Sequence, residues 1–599
     1  MSGVSLDYQR SEEGVLSRLL STDIRINTAI LPYLTLVFIG AGFRFWDLGS
    51  RALHHDESLH AYYGWNLFKT GVYEHLPLMH GPFQFFGIAF FYLLFGASDY
   101  TARILPALLG SALIGLPYFL RDRLGQFGAL AASFLLAFSP TFLYYSRFVR
   151  NDIYMALFTL GIVICIWRHL DRQKPLYLYL AAMLLGLSFA TKENAYINTA
   201  LFLVFLNLWL AAHFWQQVKT RLDLDAISSL NVVLVFSIFA WAIAATWQVT
   251  GKYRRQIGLN EWHPAGDLMV VLGTLTLPQL AAAVQIPLES LGFGEDELGR
   301  VVSNNFLGFS TVDREQVLAV VTIAALTLAA AAVGLRWNWR LWAIAAAAFY
   351  IPYVLLYTSF FTNGDGFYSG NWGSLDYWLA QQDVRRGDQP DFYYLVLLPA
   401  YEFLPLLFAG PALLYYALRG GLRSWLLTLL AAFILLMYFG GNSVDDGLSE
   451  RNMGLLVPIA AIAFFFALSG SPFERFLAFW CGATLFGYSA MAEKMPWLSV
   501  HTTLPFLLLA AYTMNKLFQN VAPGWSLGQI WAYKKPLLAL SLGLASGLFA
   551  AYGPSGEVWV ALRVLSLLVA LSGALLLLVP AKGEGEPSKS AVATAGGTL

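Results

Sequence analysis

The chain has 599 residues, a formal net charge of +0, and a composition that is 58% hydrophobic and only 12% charged, with a mean hydropathy of +0.58. Soluble domains hold roughly 45–50% apolar residues, so this composition excludes a soluble globular protein, and the balanced charge leaves no footprint for nucleic acid. Cys165 and Cys481 both lie in apolar runs, which argues for buried thiols over a disulfide framework.

In chain order, residues 1–28 are polar and carry Arg10, Arg18 and Arg25. They read as a cytoplasmic N-terminal segment under the positive-inside rule, too long for the leading region of a cleaved signal. An apolar run from Ala29 to Trp46 opens a transmembrane core, 29–250, and its first outer loop covers 47–101. Within that loop, Phe83 to Gly96 falls short of the roughly 17–25 residues a spanning helix needs, so it is predicted to lie in the interface without crossing.

That choice sets the parity of the later spans. Those near 102–120, 127–145, 153–168, 176–191 and 195–212 then put Arg121-Asp122-Arg123, Arg168/Arg172 and Lys219/Arg221 inside, with Arg147, Arg150, Asp152, Lys192 and Glu193 outside. Residues 231–249 look like a span. The region 251–315 stays open, because its apolar run 268–288 is interrupted by proline and could span or lie at the surface. Further spans are predicted over 316–520, with a Gly-, Asp-, Tyr- and Trp-rich outer loop at 359–393. C-terminal helices follow over 521–580, and 581–599 reads as a disordered tail. The expected fold is an all-α polytopic membrane protein with roughly 13–16 transmembrane helices and interfacial helices in the first outer loop.

Five of the chain's histidines, His54, His55, His60, His75 and His80, share one stretch of the first outer loop with Asp56, Glu57 and Glu74. Residues 57–70 are predicted to form an amphipathic helix with Leu59, Tyr63 and Leu67 on one stripe and Gly71 ending it. Asp56 could be no more than its cap, but the adjacent histidines and second acid favour a catalytic role. Asp152 could likewise be capping the span that follows it. Arg147 and Arg150 run against the positive-inside bias, and Lys192-Glu193-Asn194 and Glu493-Lys494 repeat the pattern of a lysine and a glutamate in a tight outer turn. Each alone reads as snorkelling or local pairing. Together on one face they suggest a phosphate site on a lipid carrier. The histidines leave two readings open. Asp56, His55 and His60, or His54 and Glu57, could hold a divalent ion, magnesium or manganese, although the spacing matches no recognised zinc motif; or the histidines could hydrogen-bond a sugar or its phosphate.

Several of these strings resemble a known superfamily. His54-His55-Asp56-Glu57-Ser58 after the first span, His80-Gly81-Pro82, Arg103 in Ala102-Arg103-Ile104-Leu105-Pro106, and Ser146-Arg147 through Asp152 are similar to the N-terminal core of GT-C glycosyltransferases. The protein O-mannosyltransferases and lipid A aminoarabinose transferases are the nearest members. Ala190-Thr191-Lys192-Glu193-Asn194-Ala195-Tyr196, the stretch 357–363 and Glu493-Lys494-Met495-Pro496-Trp497-Leu498 bring the chain closer to the bacterial and archaeal group labelled "flippase activity-associated". The resemblance covers most of 30–510.

It implies a plasma-membrane enzyme that uses polyprenyl- or dolichyl-phosphate sugars on the extracytoplasmic side, with inversion, and passes the sugar to a glycan, lipid or protein acceptor. It makes Asp56 the general base with Glu57 beside it, and Asp152 the second acid. Arg103 would be the arginine of the first outer loop, and Lys494 a contact to the donor phosphate. With Arg147, Arg150 and Lys192 these form the expected phosphate and lipid set; His54, His55, His60, His80, Glu193 and Glu493 form the expected substrate set. Lys-Glu-Asn stands where the aminoarabinose enzymes have Lys-Gly, and His-Gly-Pro-Phe where they have Pro-Pro-Leu, so substrate identity does not transfer. The alternative is a flippase or transporter for lipid-linked sugars, or an accessory to one. That would call for ionisable groups at the bilayer midplane and repeat symmetry, whereas those here cluster at span ends.

Overall fold

A computed structural model describes residues 28–222, 229–290, 314–383, 389–441 and 457–521. The polar N-terminal segment, the predicted tail, the helices expected over 537–579, and Arg385 and Arg386 of the outer loop lie outside them. The chain divides into two units, Met1–Leu517 and Phe518–Leu599, and the features below belong to the first. No strand occurs among the described residues. The protein is an all-α polytopic membrane protein.

Its first helix, α1 (Leu31–Phe45), is followed by α2 (His55–Thr70) and α3 (Phe83–Phe95) in the first outer loop. Next come α4 (Ile104–Gly115), α5 (Gln126–Phe138), the short α6 (Pro140–Tyr145) and α7 (Asp152–Arg172). The hairpin partner α8 (Pro175–Phe189) leads by a four-residue turn into α9 (Asn194–Leu222). α7 is the axis of the bundle. Apart from its last residues it is buried almost all round, from Asp152 to His169, and at 21 residues it is about 30 Å long, one bilayer core.

Two sets of contacts mark the ends of the bundle. At the C-terminal end of α7, Arg168 and Arg172 pair with Asp122, Arg123 with Asp171, and His169 Nε2 lies 3.0 Å from Asp267. At its N-terminal end sit Asp152, the α8–α9 turn and the first outer loop. Arg168 and Arg172 thus lie at the opposite end of α7 from the first outer loop.

α3 stays at that second end. Gly81 and Phe83, at its start, donate backbone bonds to Thr191 and Ala190 in the α8–α9 turn. Just past its end, Arg103 bonds the carbonyls of Leu48, Arg51 and Ala52 in the first outer loop. A helix whose two ends both touch one end of the bundle has not crossed it, as its short apolar run predicts.

The predicted stripe of α2 is rotated. Leu59, Tyr62 and Trp65 are exposed, whereas Glu57, His60, Ala61, Gly64 and Leu67 face inward. The inner face is built of small and polar groups because Gly64 lets Ile88 of α3 pack directly on the backbone. The expected cap also moves. His54, not Asp56, is the N-cap: its Nδ1 accepts from Asp56 N–H while Glu57 accepts from His54 N–H.

Two central expectations change. α10 (Ser229–Ala245) lies in a segment that returns to where it began, because Arg221 before it donates to the Arg255 carbonyl after it; 231–249 is not a simple span. The open run 268–288 does go end to end. α11 (Ala265–Thr276) starts with Asp267 beside His169, passes into a 3-10 turn at Pro278, and reaches Asn371 and Tyr196 through Gln279. α12 (Arg314–Tyr357) is broken at Asn338 (φ −160, ψ 98), and Gly334 packs on Trp342, eight residues on. Those positions would be about 12 Å apart along one helix, so the element is two helices folded back at Asn338.

The outer loop then packs on the first one: Ser359 Oγ donates to the Tyr73 carbonyl and His75 Nδ1 is 2.6 Å from Ser369 Oγ. The remaining helices are α13 (Ser374–Ala380), α14 (Tyr393–Tyr401), α15 (Phe403–Leu418), α16 (Leu422–Gly441), α17 (Val457–Ala467), α18 (Pro472–Ala490) and α19 (Ser499–Val521). By length and composition, six helices among the described residues can cross a membrane, or seven with the bent α15–α16 pair as one. That count takes α12 as one helix and leaves out the shorter apolar helices α1, α3, α5, α8 and α17, and the last predicted spans lie outside the described residues.

Candidate active site

The turn between α6 and α7, the α8–α9 turn, the start of α2 and the α18–α19 turn meet at one end of the bundle. They gather acids, bases and cations that are far apart in sequence.

Asp56 occupies the first turn of α2. Its side chain keeps 23% of its surface, and Oδ2 is 3.6 Å from Arg150 Nη1. Glu57, its neighbour, is wholly buried and fully engaged. It accepts from Arg103 Nε (2.9 Å) and Nη2 (3.0 Å), from Arg51 Nη2 (2.8 Å), and from the backbone N–H groups of His54 and Val149 (3.0 Å each). Burial alone would raise its pKa. The hydrogen bonds from Arg103, His54 and Val149 outweigh that and hold it below the usual glutamate range. Glu57 therefore organises the loop and has no lone pair free for proton transfer.

Arg103 is its counterpart. A guanidinium has five N–H donors, and here all five meet Glu57, Leu48, Arg51 and Ala52. The expectation that Arg103 binds a donor phosphate does not fit this geometry. Arg147 is similarly turned to the end of α1, donating to the carbonyls of Phe43 and Asp47, where a cation suits the C-terminal dipole. Burial pulls its pKa below the ordinary arginine range.

Arg150 faces the site. Its guanidinium lies 3.9 Å from the Trp497 ring centroid and 3.3 Å from His60 Nε2. Asp152, wholly buried, meets Lys192 Nζ at 2.8 Å and His501 Nε2 at 3.0 Å through Oδ1. Burial lowers the Lys192 pKa, opposed by Asp152 and reinforced by Arg150, while Glu493 lies near enough for its charge to favour the ammonium. Glu193 takes His80 Nδ1 at 2.6 Å; burial would raise its pKa, but His80 brings it below the usual range.

His80 holds φ 67 and ψ −169, a region costly for any residue with a side chain. Gly81 follows because a Cβ there would collide with the Ala190 carbonyl. The His-Gly-Pro turn is thus a strained clip between the first outer loop and the α8–α9 turn. His60 is buried against Phe85 and His80, and burial drives its pKa well below the ordinary value, with Arg150, His80 and Lys192 adding to the effect. His54 and His55 are exposed at the rim. Lys494 is drawn to Asp391 at 3.0 Å and to the Met491 carbonyl. Among the described residues, no group of three or more His, Cys, Asp or Glu side chains stands ready for a metal, and Asp56, His55 and His60 do not form one.

So the geometry gathers Asp56, His60, His80, Arg150, Asp152, Lys192 and Glu193. It leaves Glu57, Arg103 and Arg147 as framework. His501, Trp497 and Asn194 were not foreseen. His501 stands three residues past the Glu-Lys-Met-Pro-Trp-Leu string, and a lone histidine in the first turn of an apolar helix was the available signal.

Residues 79–250 match the family described as dolichyl-phosphate-mannose-protein mannosyltransferase. Similar solved structures include the oligosaccharyltransferase of Archaeoglobus fulgidus in its apo form, at 14% identity and a TM-score of 0.41, covering 92% of this chain and 56% of that one. Another is ArnT from Cupriavidus metallidurans bound to undecaprenyl phosphate, at 15% identity and a TM-score of 0.37, covering 94% and 71%. The chain thus spans little more than half the length of the archaeal protein. No curated protein matches it significantly.

Proposed function

We propose that the protein is a membrane glycosyltransferase that moves a sugar from a polyprenyl- or dolichyl-phosphate donor to an acceptor hydroxyl outside the cytoplasm. The observation that carries this reading is the contrast among the acids. Glu57, Glu193 and Asp152 are buried on fixed partners, and Asp56 alone of the four keeps an exposed face, beside a cationic cluster.

In this reading Asp56 takes the proton from the acceptor hydroxyl as that oxygen attacks the anomeric carbon. The bond between the anomeric carbon and the phosphate oxygen breaks on the opposite face, so configuration inverts, and that oxygen leaves on the lipid phosphate with the electron pair. Arg150 and Lys192 stabilise the charge growing on that phosphate. Lys494 joins them by exchanging Asp391 for the phosphate. His54, His55 and Glu493 at the rim, with His60, His80 and Glu193 deeper in, bind the substrates. The neighbouring ArnT structure holds undecaprenyl phosphate, and an Archaeoglobus oligosaccharyltransferase structure carries a tethered acceptor peptide; both ligand classes suit a site open to water and lipid. The test is release of free polyprenyl phosphate by purified protein from a panel of polyprenyl-phosphate sugars in the presence of acceptors. Movement of labelled lipid-linked sugar across vesicles without product would favour the flippase reading instead.

A further inference from the structure

Gln84, in the first turn of α3, is wholly buried, and neither its Oε1 nor its Nε2 has a partner. Nothing in its sequence context marks it out. Its position follows from how α2 and α3 pack. The two helices run side by side in the same direction: His60 and Tyr63 meet Phe85, Gly64 meets Ile88, and Phe68 meets Tyr92. One turn back from the Gly64–Ile88 contact, the same register sets Gln84 opposite His60. Ile88 and Tyr92, on the same face of α3, share an apolar cluster with Val149. Gln84 therefore looks between α2 and the segment that carries Arg150, Asn151 and Asp152.

Other buried polar atoms at the same end of the bundle also lack a partner: His60 Nδ1, Arg150 Nε, Asn151 Oδ1, Asp152 Oδ2 and, at the α8–α9 turn, Asn194 Oδ1. Their chemistry is mixed. The oxygens of Asp152, Asn151, Asn194 and Gln84 accept, whereas Arg150 Nε and Gln84 Nε2 donate. A phosphate brings acceptors only and would meet the charge of Asp152, so it fits poorly here. A hydroxyl both donates and accepts. A ring bearing several hydroxyls matches such a set.

We propose that Gln84 reads a hydroxyl of the donor's sugar, in a buried subsite shared with His60, Asn151 and Asp152, and so helps to decide which sugar is transferred. The inference rests on the glycosyltransferase reading. It divides the site into a deep sugar face and a cationic phosphate face at Arg150, Lys192 and Lys494. An unpaired buried amide weakens a fold, so an apolar side chain of similar size at this position should not harm stability while removing the recognition.

The experiment uses the full chain in lipid nanodiscs, as wild type, Gln84→Leu and Gln84→Met. Thermal stability is measured together with affinity for bare polyprenyl phosphate and for a panel of polyprenyl-phosphate sugars that differ in hydroxyl configuration. We expect wild type to bind at least one phospho-sugar on the order of tenfold or more tighter than the bare phosphate. Both variants should match wild type for the bare phosphate, lose that preference, and melt no lower than wild type. Variants that keep the preference, or a wild type that has none for any sugar, would overturn the proposal. So would a clear fall in melting temperature in both variants, which would make Gln84 a paired structural group. Failure of every protein to bind bare polyprenyl phosphate would instead strike the glycosyltransferase reading, and this inference with it.

Discussion

His501 Nε2 lies 3.0 Å from Asp152 Oδ1, joining two helices 349 positions apart in sequence. On the other side of the same oxygen, Lys192 Nζ stands at 2.8 Å. The last described helix is thereby tied to the start of the bundle axis at the candidate site.

Breaking a buried pair by removing one partner leaves the other charge uncompensated, at a cost of about 3–5 kcal/mol. Asp152→Ala and Lys192→Ala should each lose about that much stability. The double variant should lose less than the sum by about 0.5–3 kcal/mol. A denaturation-based double-mutant cycle checks this, and strict additivity would contradict the pairing.

Arg103 is expected to behave as framework. Arg103→Ala should destabilise the protein by about 3–5 kcal/mol, because Glu57 is left buried and charged. Arg103→Lys should recover little, since one ammonium cannot satisfy two carboxylate oxygens and three carbonyls. The check is melting temperature alongside affinity for bare polyprenyl phosphate. Weaker phosphate binding with normal stability would restore Arg103 to the phosphate set.

Acid should loosen the contact between the two outer loops at His75. Burial, the largest cause, brings its pKa down to about 4, against roughly 6.5 in an unfolded chain. The unfolded state then takes up the proton first as pH falls. Stability contributed by neutral His75 is complete above about pH 6.5 and is lost progressively down to about pH 4, by on the order of 3 kcal/mol. Melting temperature followed from pH 7 to pH 4 should fall less steeply in His75→Gln than in wild type. Parallel slopes would contradict the assignment.

The divalent-ion reading of Asp56, His55 and His60 has its own test. Arg150 already lies 3.6 Å from Asp56 and 3.3 Å from His60, so a cation is in place beside both. We therefore expect sugar release to survive a chelator. Release abolished by chelator and restored by manganese would put a metal at Asp56.

Much of this is legible in the sequence, for reasons that can be named. The short apolar run 83–96 cannot span, and α3 indeed keeps both ends beside the first outer loop. Gly71 ends its helix at φ 70, as a residue without a Cβ can. Other readings fail where partners decide roles. Arg103 and Arg150 look alike in sequence, yet one is surrounded by carbonyls and Glu57 while the other stacks on Trp497. Asp56 reads as the cap of α2, but an imidazole at His54 does that work, which composition alone does not suggest. His501 and Gln84 sit in apolar helices without a motif of their own. Their place at the site depends on helix packing over long sequence distances, and no local pattern records it.

The most direct test of the account is the rate of polyprenyl-phosphate release by wild type and Asp56→Asn with the same donor and acceptor mixture. The Asp56→Asn substitution keeps the shape of the side chain and the His54 cap but removes the group that takes the proton. The account predicts an unchanged melting temperature and a release rate lower by about 10²–10⁴-fold, the usual contribution of a general base. A well-folded Asp56→Asn protein that releases polyprenyl phosphate at the wild-type rate would contradict it.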